Sequence, residues 1–191
     1  MASIARGEWL LHHRRMADPE TSQADMCVFL DLAASIGVEL WLDGGWAVDA
    51  WLGGQTRPHR DVDIVIESGA AARLVEALRA SGYGDVPRDD TQPWNFVLGD
   101  EAGHEVDFHV IDIAENGTGI YGPPEIGFRF PADSLTAVTD LCHRQVRAIP
   151  PHRLVEFHTG YKPDDDDRAD VLALCAAFDL PVPEQYRLGT A

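Results

Sequence analysis

Two aspartates one residue apart, Asp61 and Asp63, open the apolar, β-branched stretch "DVDIVIE" (61–67). Residues i and i+2 of a strand face the same side, so their carboxylates converge. Two like charges against a core are unfavourable without a counter-charge. Hard divalent cations take oxygen donors at this spacing, and Mg²⁺ typically uses one or two carboxylates plus substrate phosphates. Gly44 and Gly45 precede this pair, Gly45 by sixteen residues, between an apolar run and a helix-like one. Without side chains there, a phosphate can approach backbone N–H groups and a helix N-terminus. A third carboxylate is available in "HEVDFHV" (104–110), where Glu105, Asp107 and His109 share one strand face. If the two strands are neighbours, Asp107 reaches the same site. Three carboxylates, a glycine turn and Mg²⁺ suit transfer at a nucleotide phosphate.

The elements that must position these groups are legible from periodicity. "DPETSQADMCVFLDLAASIG" (18–37) has Met26, Phe29, Leu30, Ala33 and Ile36 at helical spacing. "VELWL" is a short strand, and "GGWAVDAWLGG" a glycine turn into a short helix closed by Gly53 and Gly54. "DVDIVIE" alternates as a strand, and Ser68 is placed to cap the helix that follows. "NFVLGDEAGHEVDFHVIDI" (95–113) reads as two strands around a turn at Asp100 to Gly103. "GTGIYGPPEIGFRFP" (117–131) reads as loop by its glycine and proline content. "RQVRAI" is a strand; "PPHRLVEFHTGY" and "DDDDRADVLALCAAFDL" are helices, the last with acidic residues at its positive end. The expected class is α+β: a small mixed β-sheet flanked by helices, with further helices at the C-terminus. Residues 1–17 are expected to be a flexible extension, where His12, His13, Arg14 and Arg15 form a tail rather than a metal or anion site. Residues 18–191 form the domain, with 132–191 its C-terminal helical part and one wall of the acceptor pocket.

The 191 residues carry a formal charge of −17. That argues against a nucleic-acid partner, since phosphate backbones select basic surfaces, and suits a divalent metal or a cationic small molecule. No apolar run approaches the roughly 20 residues needed to span a bilayer, and the N-terminus lacks a secretory apolar stretch. Cys27, Cys142 and Cys175 are odd in number and widely spaced, which predicts buried free thiols in a reducing cytoplasm. Lys162 is the single lysine beside fourteen arginines. A compact ammonium suits phosphate oxygens differently from a guanidinium, so Lys162 is a candidate triphosphate contact. Asp49, on the short helix, either holds the glycine turn or touches substrate. Trp46, Trp94, Tyr121 and Tyr161 are candidates to stack on an adenine or an acceptor, with packing as the alternative for each. Asp164 to Asp167 read as a solvated helix start rather than a second cation site.

The ordered set of Gly-Gly, D-x-D on a strand and a later apolar-Asp-apolar strand resembles the polymerase-β-like nucleotidyltransferase superfamily. "WLDGGWAVDAWLGGQTRPHRDVDI" together with "FHTGYKPDDDDRADVLAL" resembles the small antibiotic nucleotidyltransferases, lincosamide enzymes first and aminoglycoside 2″-adenylyltransferases second. The resemblance implies a nucleotidyltransferase fold, with Asp61, Asp63 and Asp107 binding Mg²⁺ and Asp107 also the candidate base for the acceptor hydroxyl. Glu105 is the backup base. It implies triphosphate contacts from Arg57, His59 and Arg60, with Gly44, Gly45 and Lys162 completing the nucleotide site. Trp46, Asp49, Glu105, Tyr121 and Tyr161 are the candidate substrate contacts. The expected reaction moves a nucleoside monophosphate, AMP from ATP, to a hydroxyl of a small cationic antibiotic. A non-catalytic or antitoxin-like nucleotide-binding protein and a D-x-D nuclease or phosphatase are the competing classes; a homodimer is compatible with the sequence.

Overall fold

The computed structural model describes residues 20–187; the N-terminal extension, with its paired histidines and arginines, lies outside them. The first helix, α1 (Gln23–Ser35), begins at Ser22 rather than at residue 18. The Ser22 hydroxyl accepts from the Asp25 amide while the Asp25 carboxylate accepts from the Ser22 amide, a reciprocal cap that satisfies two donors at a helix start. Met26, Phe29, Leu30 and Ala33 form its buried stripe. A two-residue strand, β1 (Trp41–Leu42), leads into α2 (Gly44–Leu52), which Asp43 caps and Gly53 ends in the left-handed region at φ 89°. There follow β2 (Asp61–Glu67), α3 (Ser68–Ala80), β3 (Gly84–Val86), β4 (Asn95–Gly99), β5 (Glu105–Ile113), β6 (Gly119–Tyr121), β7 (Arg129–Phe130), β8 (Val138–Leu141), β9 (Arg144–Ala148), α4 (Pro151–Phe157) and α5 (Asp165–Phe178).

The strands make one mixed sheet in the order β3-β4-β5-β2-β1-β9-β8, with β6 continuing from β5 and β7 pairing β6. β2 with β5 and β1 with β9 are parallel, and the other neighbours antiparallel. The class is α+β, as the periodicities predict. Val62, Ile64 and Ile66 of β2 and Val106 and Phe108 of β5 are buried in the single core. The alternate residues, Asp61, Asp63, Glu105, Asp107 and His109, remain half-buried. The period of two therefore separates core from site on both strands. Among the described residues no helix is long and apolar enough to cross a membrane.

Four expectations change. Ser68 is the first residue of α3 rather than its cap; Glu67 takes the cap position with no side-chain bond, and the Ser68 hydroxyl donates to Asp112 at 2.5 Å. The segment 117–131 is not all loop: it holds β6 and β7. There Tyr121, Phe128 and Phe130 pack edge-on with one another, and Phe128 and Phe130 with Phe157 of α4, at centroid distances of 5.1–6.1 Å. That tertiary burial outweighs the local glycine and proline signal. The C-terminal part contains α4 and α5 but also the β8–β9 hairpin, whose second strand joins β1. Finally, Cys27 on α1 and Cys142 at the β8–β9 turn are joined in a disulfide, Cα to Cα 5.5 Å, and only Cys175 is a free, buried thiol. Two cysteines 115 residues apart carry no spacing signal for their pairing.

Candidate active site

Parallel pairing of β2 and β5 is in register, so Asp63 lies opposite Asp107 and Asp61 opposite Glu105. Carboxylate oxygens of Asp63 and Asp107 and a ring nitrogen of His109 all lie within 4.8 Å of one another. Oδ1 of Asp107 is buried with no hydrogen-bond partner. Burial, and then the charges of Asp61, Asp43 and Asp107, push the Asp63 carboxyl well above the usual carboxylate range. Burial also raises Asp61, with Glu105 adding to it, and raises Asp107 against the opposing pull of His109. A buried oxygen without a donor, inside a crowd of carboxylates, is the donor chemistry of a divalent-cation site. These residues fit such an ion. Asp61 stands outside the 4.8 Å group and faces a neighbouring cavity. Glu105, the backup base, is taken up by Arg88 at 2.6 Å.

The glycine turn lies directly under this row. Gly44 has φ +52°, a conformation that favours glycine, and a Cβ there would collide with the Asp63 carboxylate. The Asp43 amide donates to the Asp63 carbonyl at 3.0 Å, fastening the turn to β2. A Cβ on Gly45 would lie 2.5 Å from the His59 ring and 2.7 Å from Arg57 Nη2. The space vacated by the two missing side chains is thus filled by Asp63, His59 and Arg57.

The segment between α2 and β2 is held by pairs that the sequence did not reveal. Asp49 is fully buried; its Oδ2 meets His59 Nε2 at 2.5 Å, and its Oδ1 accepts from the Thr56 amide at 3.0 Å and hydroxyl at 2.5 Å. Trp46 is 1% exposed, with its ring 4.7 Å from that of His59. Asp49 and Trp46 are therefore internal packing, whereas His59, though 3% exposed, borders the cavity beside Arg57 and Arg60. Arg57 makes a fork to buried Asp170 of α5, with contacts of 2.7–3.2 Å, and approaches Asp166 at 3.5 Å. Burial opposes the Arg57 charge, but its bonds to Asp170 more than offset this and raise its pKa.

Two cavities flank the carboxylate row. One, of about 650 Å³, is lined by Arg57, Arg60, Asp61, Asp164, Asp166 and Asp167 among others. The other, of about 240 Å³, is lined by Arg88, Asp90, Asn95 and Asp107 among others. Tyr121 stands behind the second cavity: its hydroxyl donates to Asn95 Oδ1 at 2.7 Å, and burial, then Asp107, pushes its pKa up to about 12. Tyr161 is exposed, donates to Asp167 at 3.0 Å and is raised by burial and that bond. Neither Tyr161 nor the exposed Lys162 lines either cavity. His109, Arg88 and Asn95 are the site groups that the sequence left unassigned. His109 carried a signal, since it shares the parity of Asp107; Asn95 reaches the site only through the pairing of β4 with β5, and Arg88 only through its ion pair with Glu105.

The model of the family described as Aminoglycoside-2''-adenylyltransferase matches residues 25–174. A lincosamide resistance protein of Staphylococcus haemolyticus is 28% identical over 156 residues, covering 82% of this chain and 96% of that protein. The crystal structure of the lincosamide antibiotic adenylyltransferase LnuA, lincomycin-bound, has a TM-score of 0.72 at 29% identity, over 81% of this chain and 97% of that one. ANT(2")-Ia in complex with adenylyl-2"-tobramycin shares the fold, with a TM-score of 0.64 at 18% identity over 81% and 88% of the two chains. A family match over most of the chain, on a fold that brings Asp63 against Asp107, makes this protein a nucleotidyltransferase belonging to the aminoglycoside-2''-adenylyltransferase family.

Proposed function

We propose that this protein inactivates a small, hydroxylated, cationic antibiotic by transferring AMP to it from ATP. The observation that carries the proposal is the pairing of Asp63 with Asp107, whose Oδ1 is buried and unpartnered. Asp61, Asp63 and Asp107 would hold a divalent cation, Mg²⁺, which when bound supplies neutralisation of charge on the α-phosphate and the departing pyrophosphate. Asp107 faces the smaller cavity, where it accepts the proton of the acceptor hydroxyl. The acceptor oxygen then bonds to the α-phosphorus as the bond from that phosphorus to the bridging oxygen breaks and pyrophosphate leaves. Arg60 and the outer edge of Arg57 meet the phosphates in the larger cavity, and Lys162, exposed on the connection between α4 and α5, is a further candidate cation for them. The first turn of α2, kept close by Gly44 and Gly45, presents its positive end toward the same charge. Asp90 and Asp107 give the smaller cavity, where the acceptor hydroxyl sits, two acidic groups, which favours an acceptor carrying a protonated amine.

The preferred acceptor is a lincosamide, supported by the 29% identity to the lincomycin-bound structure over nearly its whole length. The second reading is an aminoglycoside, favoured by the family description. The test is mass spectrometry of a panel of both classes after incubation with protein, ATP and Mg²⁺. A gain of one AMP on a lincosamide is expected. A gain on an aminoglycoside alone moves the assignment to the second reading, and no gain on any member defeats both.

A further inference from the structure

We propose that His109 is a further protein donor to the divalent cation, through Nε2, beside Asp63 and Asp107. This rests on the reading that the carboxylates hold a cation. A ring nitrogen of His109 lies within 4.8 Å of oxygens of both aspartates. His109 follows Asp107 by two residues on β5, which puts both on the face that carries Asp63.

A chain of hydrogen bonds decides which nitrogen is free. Asn95 Nδ2 lies 3.4 Å from the Asp90 carbonyl oxygen and 3.2 Å from Asp90 Oδ2. A carbonyl and an ionised carboxylate only accept, so the amide is oriented with Oδ1 toward Tyr121. The Tyr121 hydroxyl gives its one proton to that oxygen at 2.7 Å. Toward His109 the phenol oxygen can then only accept. His109 Nδ1 lies 3.5 Å away, the longest link of the chain, with the two rings edge-on at 5.8 Å. The proton of the neutral imidazole is thereby held on Nδ1, and the lone pair is on Nε2. Metal-binding histidines are generally oriented in this way, by a partner on the other ring nitrogen. A neutral donor also adds a ligand without adding to the repulsion already acting on Asp63 and Asp107.

Carboxylates and water suit both Mg²⁺ and Mn²⁺, and an added imidazole favours the transition metal of the two. The test uses Mn²⁺ on the full chain without nucleotide or acceptor. Pulsed electron paramagnetic resonance of the parent should show the coupling of a directly bound ¹⁴N. His109→Asn should abolish that coupling and weaken Mn²⁺ about tenfold or more, with a smaller loss for Mg²⁺. Tyr121→Phe keeps the ring but removes the acceptor for Nδ1–H, and should weaken Mn²⁺ about tenfold while the coupling persists. Bound Mn²⁺ without nitrogen coupling in the parent would overturn the proposal whether or not any variant folds. So would unchanged coupling in His109→Asn. If Asp63→Asn and Asp107→Asn abolish Mn²⁺ binding while the parent shows oxygen donors only, the His109 assignment alone falls. If those variants bind Mn²⁺ as the parent does, or the parent binds none, the metal reading of the active site falls with it.

Discussion

Asp49 with His59, Arg57 with Asp170, and Asp63 with Asp107 are all ionisable groups withdrawn from water, yet only the first two pairs are matched. Both oxygens of Asp49 are engaged, and Asp170 receives a two-pronged contact from Arg57. Asp63 and Asp107 instead face each other as like charges, with one oxygen left without a partner. Fully satisfied buried networks rigidify a fold, whereas unsatisfied ones are unfavourable and call for a specific explanation. The matched pairs hold the segment between α2 and β2 against α5. The unmatched pair is where a ligand completes the chemistry.

That contrast is open to direct attack. Asp107→Asn should slow transfer by roughly 10²–10⁴-fold at saturating Mg²⁺, without lowering the melting temperature of the metal-free protein. Steady-state kinetics and thermal unfolding in EDTA check the two halves. A parental rate for Asp107→Asn together with a slow Glu105→Gln would show that the wrong carboxylate was chosen. Asp170→Ala should do the reverse on the matched side. Leaving Arg57 without its partner should cost about 3–5 kcal/mol of stability, seen as a melting point lower by ~2–4 °C per kcal/mol.

The two glycines separate the clusters more finely. Gly44→Ala would press on the Asp63 carboxylate and Gly45→Ala on His59 and Arg57. The first should reduce transfer and Mn²⁺ affinity as well as stability, since Gly44 sits at φ +52°. The second should chiefly lower stability, by about 1–3 kcal/mol. Equal losses of both properties in both variants would erase the distinction. The smallest effect is on pH dependence. The Asp63 carboxyl is raised above its ordinary value of 3.8 by the fold, so its contribution is fully present below that value and is lost as pH rises through its folded pKa. In EDTA, the melting temperature of the parent relative to Asp63→Asn should therefore fall as pH rises above that ordinary value. A constant difference as pH rises would mean that Asp63 is not electrostatically crowded.

What was legible in the sequence was what repeats over short distances. The parity of Asp61 and Asp63 in "DVDIVIE" and of Asp107 in "HEVDFHV" placed the carboxylates, and the core face of β2 and β5 followed from the intervening Val62, Ile64, Val106 and Phe108. The glycine turn was visible, but not its reason, because the atoms that exclude a side chain belong to Asp63, His59 and Arg57 rather than to a neighbour in sequence. Arg57 finds Asp170 across 113 residues, and no local pattern distinguishes such an arginine from one awaiting phosphate. Trp46 was ambiguous for a related reason: an aromatic beside a glycine turn packs inward or outward according to what crosses over it, here His59. β6 and β7 were hidden because glycine and proline dominate 117–131, while the aromatic contacts that order it come from α4.

The bond between Cys27 and Cys142 closes a covalent ring around α2, β2, α3 and β5. A protease that cuts the chain once anywhere within 28–141 would therefore release no fragment. The two pieces would migrate together on a denaturing gel until a thiol reductant is added, and the carboxylate row would stay tethered to both of them.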